Sequence, residues 1–244
     1  MSAEEVRLDK LLMQRGFASS RQRAVELIKD GSVLVNSKSI TKPGQKFPKE
    51  ISIDLTASEI PWVSRGALKL EAALDHWQID PFGLTCLDVG ASTGGFTELL
   101  LDRGAKKVYA VDTGSEQLAP ELRNDPRVAS FENTDIRNLS HEDFTSIDLI
   151  VIDVSFISLE LIFPALVSFC NNHPKIIALI KPQFEVGREN VGKRGVVRDE
   201  GLRHLAVEKV KKMAEGHGWQ WVDSIKSPIT GGEGNVEFLG SIRT

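Results

Sequence analysis

An apolar run that stops at an acid and then breaks into glycines constrains this chain more than any other segment. It reads Leu84-Thr85-Cys86-Leu87-Asp88-Val89-Gly90-Ala91-Ser92-Thr93-Gly94-Gly95-Phe96-Thr97. Such a run dictates a buried strand, a tight turn and a helix start, with Ser92 and Thr93 as candidate caps. The turn is a cradle for a small molecule. Its glycines at 90, 94 and 95 match neither the dinucleotide spacing G-x-G-x-x-G nor a phosphate loop ending in Gly-Lys-Ser/Thr. The competing reading is a turn without a ligand, in which glycine serves geometry alone.

Strand and helix patterns alternate around this stretch. Strands are expected at Leu84 to Val89, Lys107 to Val111, Val128 to Phe131, Ile147 to Ile152 and Lys175 to Ile180, and two more near Trp219 to Ile225 and Val236 to Ile242. Helices are expected at Thr93 to Asp102, Glu116 to Leu122, Ser158 to Cys170 and Glu200 to Gly216. Alternation of this kind gives a parallel sheet wound on both faces, with ligands outside the carboxyl ends of the strands. Those ends carry Asp88, Asp112, Asp135, Asp153 and Lys181. Asp112 falls 24 residues after Asp88, about where an α/β nucleotide site places the acid that binds ribose hydroxyls. Asp135 is placed to reach an adenine amino group. One acid at a strand end caps a turn as readily as it binds a ligand, but acids at three successive ends favour the ligand. Ribose and adenine without phosphates describe S-adenosylmethionine. The expected cofactor contacts are Asp88, Gly90, Ala91, Ser92, Thr93, Gly94, Gly95, Phe96, Asp112 and Asp135.

The net charge of −4 is unevenly spread: residues 1–47 hold nine Lys/Arg against five Asp/Glu, so a +4 module precedes a −8 remainder. A basic segment on an acidic body points to a polyanionic partner. The longest apolar segments, Ile147 to Ile152 and Leu159 to Phe169, are too short to span a bilayer. An acidic start, Ser2-Ala3-Glu4-Glu5, reads as no secretory signal, and two cysteines, Cys86 and Cys170, read as reduced thiols. A cytoplasmic protein is the expectation, and no metal is expected.

Within the basic module, Val6 to Phe17 reads as a helix with Leu8, Leu11 and Leu12 on one face, and Ser19-Ser20 as the cap of a second helix, Arg21 to Lys29. A strand Val33 to Val35 and a turn at Asn36-Ser37-Lys38 follow. Arg7-Leu8-Asp9-Lys10-Leu11-Leu12, Ser20-Arg21-Gln22-Arg23-Ala24 and Gly31-Ser32-Val33-Leu34-Val35-Asn36 together resemble the αL RNA-binding fold first described in ribosomal protein S-four. The resemblance implies phosphate contacts from Arg7, Lys10, Arg21, Arg23, Lys38 and Lys46. A solvated basic face is the plainer reading of the same charges. Residues 48–62 read as a linker with a short strand at Ile51 to Ile53, and Trp62 as a packing anchor between domains. This gives a small α+β RNA-binding domain over 1–47, a linker over 48–62 and a catalytic domain over 63–244.

Matches in order along nearly the whole chain, among them Trp62-Val63-Ser64-Arg65-Gly66, Asp88 to Thr97, Asp153-Val154-Ser155-Phe156-Ile157-Ser158, Ile180-Lys181-Pro182-Gln183-Phe184-Glu185 and Gly234-Asn235-Val236-Glu237-Phe238-Leu239, resemble the TlyA, or hemolysin A, family of ribosomal RNA 2′-O-methyltransferases. That family joins an αL domain to an FtsJ-like domain. The resemblance implies an α/β, Rossmann-like S-adenosylmethionine-dependent methyltransferase domain with a doubly wound, mainly parallel sheet. It also implies methylation of cytidine riboses in ribosomal RNA or ribosomal subunits, with Arg65 among the RNA-contacting cations. The family's Lys-Asp-Lys-Glu tetrad falls on Lys69, Asp153, Lys181 and Glu237. From its place at the start of a helix alone, Lys69 reads as a surface residue, and the resemblance overrides that. A ribose hydroxyl needs a base or a cation to stabilise the developing alkoxide, and Lys181 suits either role. This chain has Thr113-Gly114-Ser115-Glu116 where the family commonly has Val-Gly-Tyr-Gly, and Gly192-Lys193-Arg194-Gly195 adds a cation. Two other classes stand beside this one: a non-catalytic RNA-binding or ribosome assembly factor that keeps the cofactor fold, which the complete tetrad opposes, and a cytolytic membrane protein, for which the chain offers no strongly amphipathic basic segment.

Overall fold

The computed structural model describes residues 5–18, 21–29, 31–55, 62–192, 194–231 and 234–244, without the side chains of Gln22, Arg23 and Glu26. The expected Ser19-Ser20 cap therefore lies outside the described residues, as does Lys193, while the added cation of that segment, Arg194, is described and exposed. Between Pro61 and Trp62 the chain divides into two units.

The first unit contains β1 (Glu5–Arg7), α1 (Leu8–Gln14), α2 (Arg21–Lys29), β2 (Val33–Val35), β3 (Lys38–Ser39), β4 (Lys46–Pro48) and β5 (Ile53–Leu55). Leu8, Leu11 and Leu12 of α1 meet Ala24 and Ile28 of α2 over Val33, Val35 and Ile53, the stripe spacing that buries one face of each helix. The first helix begins at Leu8 and not at Val6, because Val6 and Arg7 pair antiparallel with Phe47 and Lys46. Asn36 and Ser37 both take positive φ, 49° and 63°, in the tight turn that returns β3 onto β2. β5 pairs with β2 through Val33 to Leu55, Leu34 to Asp54 and Val35 to Ile53. Part of the stretch read as a linker, up to Leu55, is thus sheet of this unit; pairing partners twenty residues away leave no local signal.

The second unit runs α3 (Gly66–His76), β6 (Thr85–Val89), α4 (Gly95–Asp102), β7 (Lys107–Val111), α5 (Pro120–Arg123), β8 (Val128–Phe131), β9 (Leu149–Ile152), α6 (Phe163–Leu166), β10 (Lys175–Ile180), α7 (Pro182–Glu185), α8 (Glu200–Gly216), β11 (Gln220–Lys226) and β12 (Phe238–Arg243). Its seven strands order as β8-β7-β6-β9-β10-β12-β11. The pairs from β8 to β10 are parallel, and β12 alone runs against both neighbours. Side-chain alternation divides the interior in two. Leu87, Val89, Ile150 and Ile152 pack under α8 and the segment from Leu159 to Phe169, while Cys86, Val108, Leu149 and Val151 pack under α3 and α4. This is a doubly wound sheet.

Two expected helices are shorter than their patterns, and proline explains both. Pro120 opens α5 and forces Ala119 out of helical geometry (ψ 138°), while Glu116 is left-handed at φ 53°. Pro164 removes an amide donor from the stretch Ser158 to Cys170, which breaks into two single 3-10 turns on either side of the four-residue α6.

Candidate active site

The strand order reverses beside β6: β7 and β8 lie to one side, β9 and β10 to the other. Ligands in open α/β sheets bind at such a switch point, beyond the carboxyl ends. Here the loops after β6 and β9 come close enough that a Cβ on Gly90 would lie 2.6 Å from the Asp153 carbonyl oxygen. Gly90 also has φ 89°. Only glycine fits both conditions. On the far side of the turn, a Cβ on Gly95 would meet Ser64 Cβ at 2.9 Å, so α4 starts tight against the entry to α3.

A cavity of about 340 Å³ opens there, lined by Gly90, Ser92, Asp112, Gln117, Asp135, Asp153 and their neighbours, within the range of about 300–1,000 Å³ typical of small-molecule sites. Asp112 is fixed by two backbone donors: its Oδ2 accepts from Ser92 N at 2.8 Å and its Oδ1 from Gly114 N at 2.7 Å. Asp135 caps the next turn by accepting from Arg137 N, and pairs with the Arg137 guanidinium at 2.6 Å, which holds its carboxyl below the usual range. Three carboxylates around one hollow repel phosphates and suit hydroxyls, amines and cations. A smaller hollow of about 140 Å³ adjoins it, sharing Gly90, Ser92, Asp153 and Ser155 and adding Ala91, Thr93, Gly95, Phe96 and Lys181.

Two of the expected cofactor contacts stand elsewhere. Asp88 is fully buried on the α4 side of the sheet, where its Oδ2 accepts from Thr97 Oγ1 at 2.7 Å. It lines neither hollow, because its place within β6 points it under the helix instead of past the strand end. Gly94 likewise lines neither; a Cβ there would run into Leu122 and Leu118.

The four tetrad positions, far apart in sequence, lie at one end of the sheet. Lys69 projects from α3 to Glu237, just before β12, with Nζ 2.7 Å from Oε2. Lys181, at the end of β10, sits 2.6 Å from Asp153 Oδ1 and donates to Ser155 Oγ at 2.7 Å. Burial alone would lower the Lys69 pKa, but the charges of Asp153 and Glu237 outweigh it and raise it. Burial would raise Asp153, yet the charges of Lys181 and Lys69 hold it below its ordinary value. The group is thus a chain of alternating charges, Glu237, Lys69, Asp153, Lys181, ending at the Ser155 hydroxyl. Ser155, in the same loop as Asp153, was missed as a site residue; its sequence carries no signal beyond its place in a strand-end loop. Next to it Phe156 is 92% exposed in a left-handed backbone at φ 66°. Asn235, also missed, is buried, donates to Gly195 O at 2.8 Å and accepts from Val197 N at 3.0 Å, steadying the approach to Glu237.

This unit is an FtsJ-like methyltransferase by comparison, matched over residues 62–243. The chain belongs to that family. Residues 6–50 match the S4 domain. A curated relative, the 16S/23S rRNA (cytidine-2′-O)-methyltransferase TlyA of Mycobacterium tuberculosis, is 47% identical over 244 residues, covering 99% of this chain and 91% of the relative. The protein named Hemolysin A from Brachyspira hyodysenteriae is 40% identical, covering 96% and 98%. A solved structure from Streptococcus thermophilus is 39% identical with a TM-score of 0.79, covering 100% of this chain and 90% of the other.

The expected RNA contacts of the first unit are cations with distinct surroundings. Arg7 and Arg21 both reach the buried carboxylate of Asp9, at 2.8 and 3.3 Å, and the Arg7 hydrogen bond lowers the Asp9 pKa against the effect of burial. Their other faces stay open, with 40% and 63% of each side chain exposed. Lys10, Lys38 and Lys46 are exposed, and the side chain of Arg23 lies outside the described residues. Arg65, partly buried at the start of α3, acts on Lys69 as a like charge. Trp62, read as an anchor between domains, packs within the second unit, where its Nε1 donates to Asp102 at 2.9 Å.

Proposed function

We propose that this chain transfers a methyl group from S-adenosylmethionine to a ribose 2′-hydroxyl of cytidine in ribosomal RNA. One observation carries the reading: an ammonium clamped by a carboxylate and a hydroxyl, Lys181 with Asp153 and Ser155, opens on a hollow that continues into an acidic cavity at the switch point of a methyltransferase-family sheet. The identity to the TlyA relative over the whole chain supports the substrate class.

Asp112 would accept from the ribose hydroxyls of the cofactor and Asp135 from its adenine amino group, while the Gly90 turn leaves room for its tail. When bound, the sulfonium supplies an activated methyl group, so the protein's task is placement of the acceptor oxygen and control of its charge. Lys181 stabilises the negative charge that grows on the 2′-oxygen as its proton passes to water, while the O–CH3 bond would form as the S–CH3 bond breaks and the neutral thioether leaves. Asp153 and Ser155 aim that ammonium, and Lys69, itself held by Glu237, helps keep Asp153 ionised. The exposed Phe156 ring stands beside the opening, suited to stack on a base. Arg7, Lys10, Arg21, Lys38 and Lys46 of the S4-like unit would supply phosphate contacts that position the RNA without reading its sequence. The name of the Brachyspira relative raises membrane lysis as a second activity, but no helix among the described residues is long and apolar enough to cross a membrane.

The test is Lys181→Ala, assayed by incorporation of labelled methyl groups into ribosomal RNA and by calorimetric titration with S-adenosylmethionine. Transfer is expected to vanish while cofactor binding survives. Full activity in the variant overturns the mechanism.

A further inference from the structure

One run of the chain, Lys181 to Glu185, holds the loop that follows β9 at three separate points. Lys181 takes Asp153 and Ser155. The Phe184 ring packs against Phe156 with centroids 5.4 Å apart. Glu185, only 5% exposed, takes the far end of the loop: its Oε2 accepts from Ser158 Oγ at 2.7 Å and its Oε1 from Leu159 N at 2.9 Å. The loop therefore has one end fixed by β9 and the other by Glu185, and Ser155 and Phe156 lie between.

Two features argue that the Glu185 clamp does more than satisfy a buried donor. Burying a carboxyl is costly, and burial does push the Glu185 pKa up. The nearest cation, Lys209 of α8, is 4.0 Å from Oε2; it donates to the Glu185 carbonyl oxygen at 3.2 Å and pairs with Glu160 at 3.2 Å, leaving the carboxylate aimed at the loop. The span it closes also holds strained backbone, because Phe156 is a bulky residue at φ 66°, a conformation that persists only where its surroundings impose it.

We infer that Glu185 is a positioning residue for methyl transfer: it holds the loop from Asp153 to Ser158 against the segment that carries Lys181, so that Ser155 meets the ribose, and Phe156 its base, in register with the ammonium. This rests on the methyltransferase reading above. Glu185 itself touches neither hollow, while the loop it holds lines the larger one from Asp153 to Ile157, so its loss acts chiefly on the turnover step and less on cofactor affinity.

The test compares wild type, Glu185→Leu, Glu185→Gln and Ser158→Ala as full chains, measuring kcat and KM for methyl transfer to ribosomal RNA, Kd for S-adenosylmethionine, and Tm. Leucine keeps the bulk and removes both acceptors. A displacement of about 1 Å at a reacting group costs about 100-fold, and a fall in kcat of that order is expected for Glu185→Leu, with a much smaller change in Kd. Glutamine restores most of kcat, since its Oε1 can accept from Leu159 N while its Nε2 donates to Ser158 Oγ. Unchanged kcat in a folded Glu185→Leu chain, a glutamine variant no better than leucine, or a loss confined to Kd overturns the inference. Should Glu185→Leu fail to fold, Ser158→Ala decides: a lowered kcat at constant Kd supports the clamp, and wild-type kcat overturns it. A wild-type chain inactive on ribosomal RNA overturns the proposed function and this inference with it, whereas an active wild type matched by folded Glu185→Leu overturns this inference alone.

Discussion

Asp88 and Asp153 belong to the ends of adjacent parallel strands, β6 and β9, yet they share neither surroundings nor charge state. Asp88 is still within the ladder, opposite Val151, and faces inward to Thr97. Its Oδ1 has no hydrogen-bond partner among the described residues, and burial, with Asp153 and Asp112 adding repulsion, pushes its pKa up to about 7. Asp153 stands one residue beyond the strand, where its amide bonds Val89 O and where Lys181 and Lys69 reach its carboxylate. The same side chain is pushed toward its neutral form in one place and held as an anion in the other. Which side of the sheet's edge a residue falls on, a matter of one pleat, decides whether cations from other elements can reach it.

Three substitutions put that contrast under strain. Lys69→Met has the largest expected effect: it leaves Glu237, 3% exposed, without its cation, and breaking a buried pair in this way costs about 3–5 kcal/mol. A chemical denaturation series checks this, and a loss within error of zero would mean that the pair is solvated. Asp153→Asn comes next. It removes the anion that aims Lys181, with an expected fall in kcat of about 100- to 1,000-fold, as for loss of one oriented electrostatic group, measured by methyl incorporation at saturating cofactor.

Asp88→Asn is the mildest and works in the opposite direction. Because the folded-state pKa is raised, the contribution of this carboxyl to stability is whole below about pH 4 and is lost as pH rises through about 7. The asparagine variant lacks that slope. Relative to wild type it starts without advantage near pH 4, where the carboxyl is neutral and the amide donor is unpaired, and gains as pH rises, to a net of roughly 2 kcal/mol near pH 7. Parallel Tm curves for the two chains would show instead that Asp88 ionises freely.

The contrast also marks what the sequence could disclose. The apolar run before Asp88, the acids at successive strand ends and the split of charge between the two halves were all legible, since period and spacing are local properties. Asp88 reads as a cofactor contact from its place at a strand end before the glycine turn, although alternation from Leu87 and Val89 already puts it on the other face with Cys86. The pairing of Lys69 with Glu237 spans 168 positions; no periodicity carries that, and only likeness to a known family pointed to it. Pro120 and Pro164 were visible stops that the helix patterns overran. Ser155 and Glu185 were hidden because their importance lies in whom they touch.

One further consequence follows from the strand that runs against its neighbours. β12 is the last element of the sheet, inserts between β10 and β11, and is entered directly from Glu237. As the chain emerges during synthesis, every other part of the tetrad is made first, and Lys69 has no anion from this strand until β12 seats. The buried pair of Lys69 and Glu237 therefore closes only as the sheet does, and until then Asp153 is the carboxylate of the group left to face Lys69.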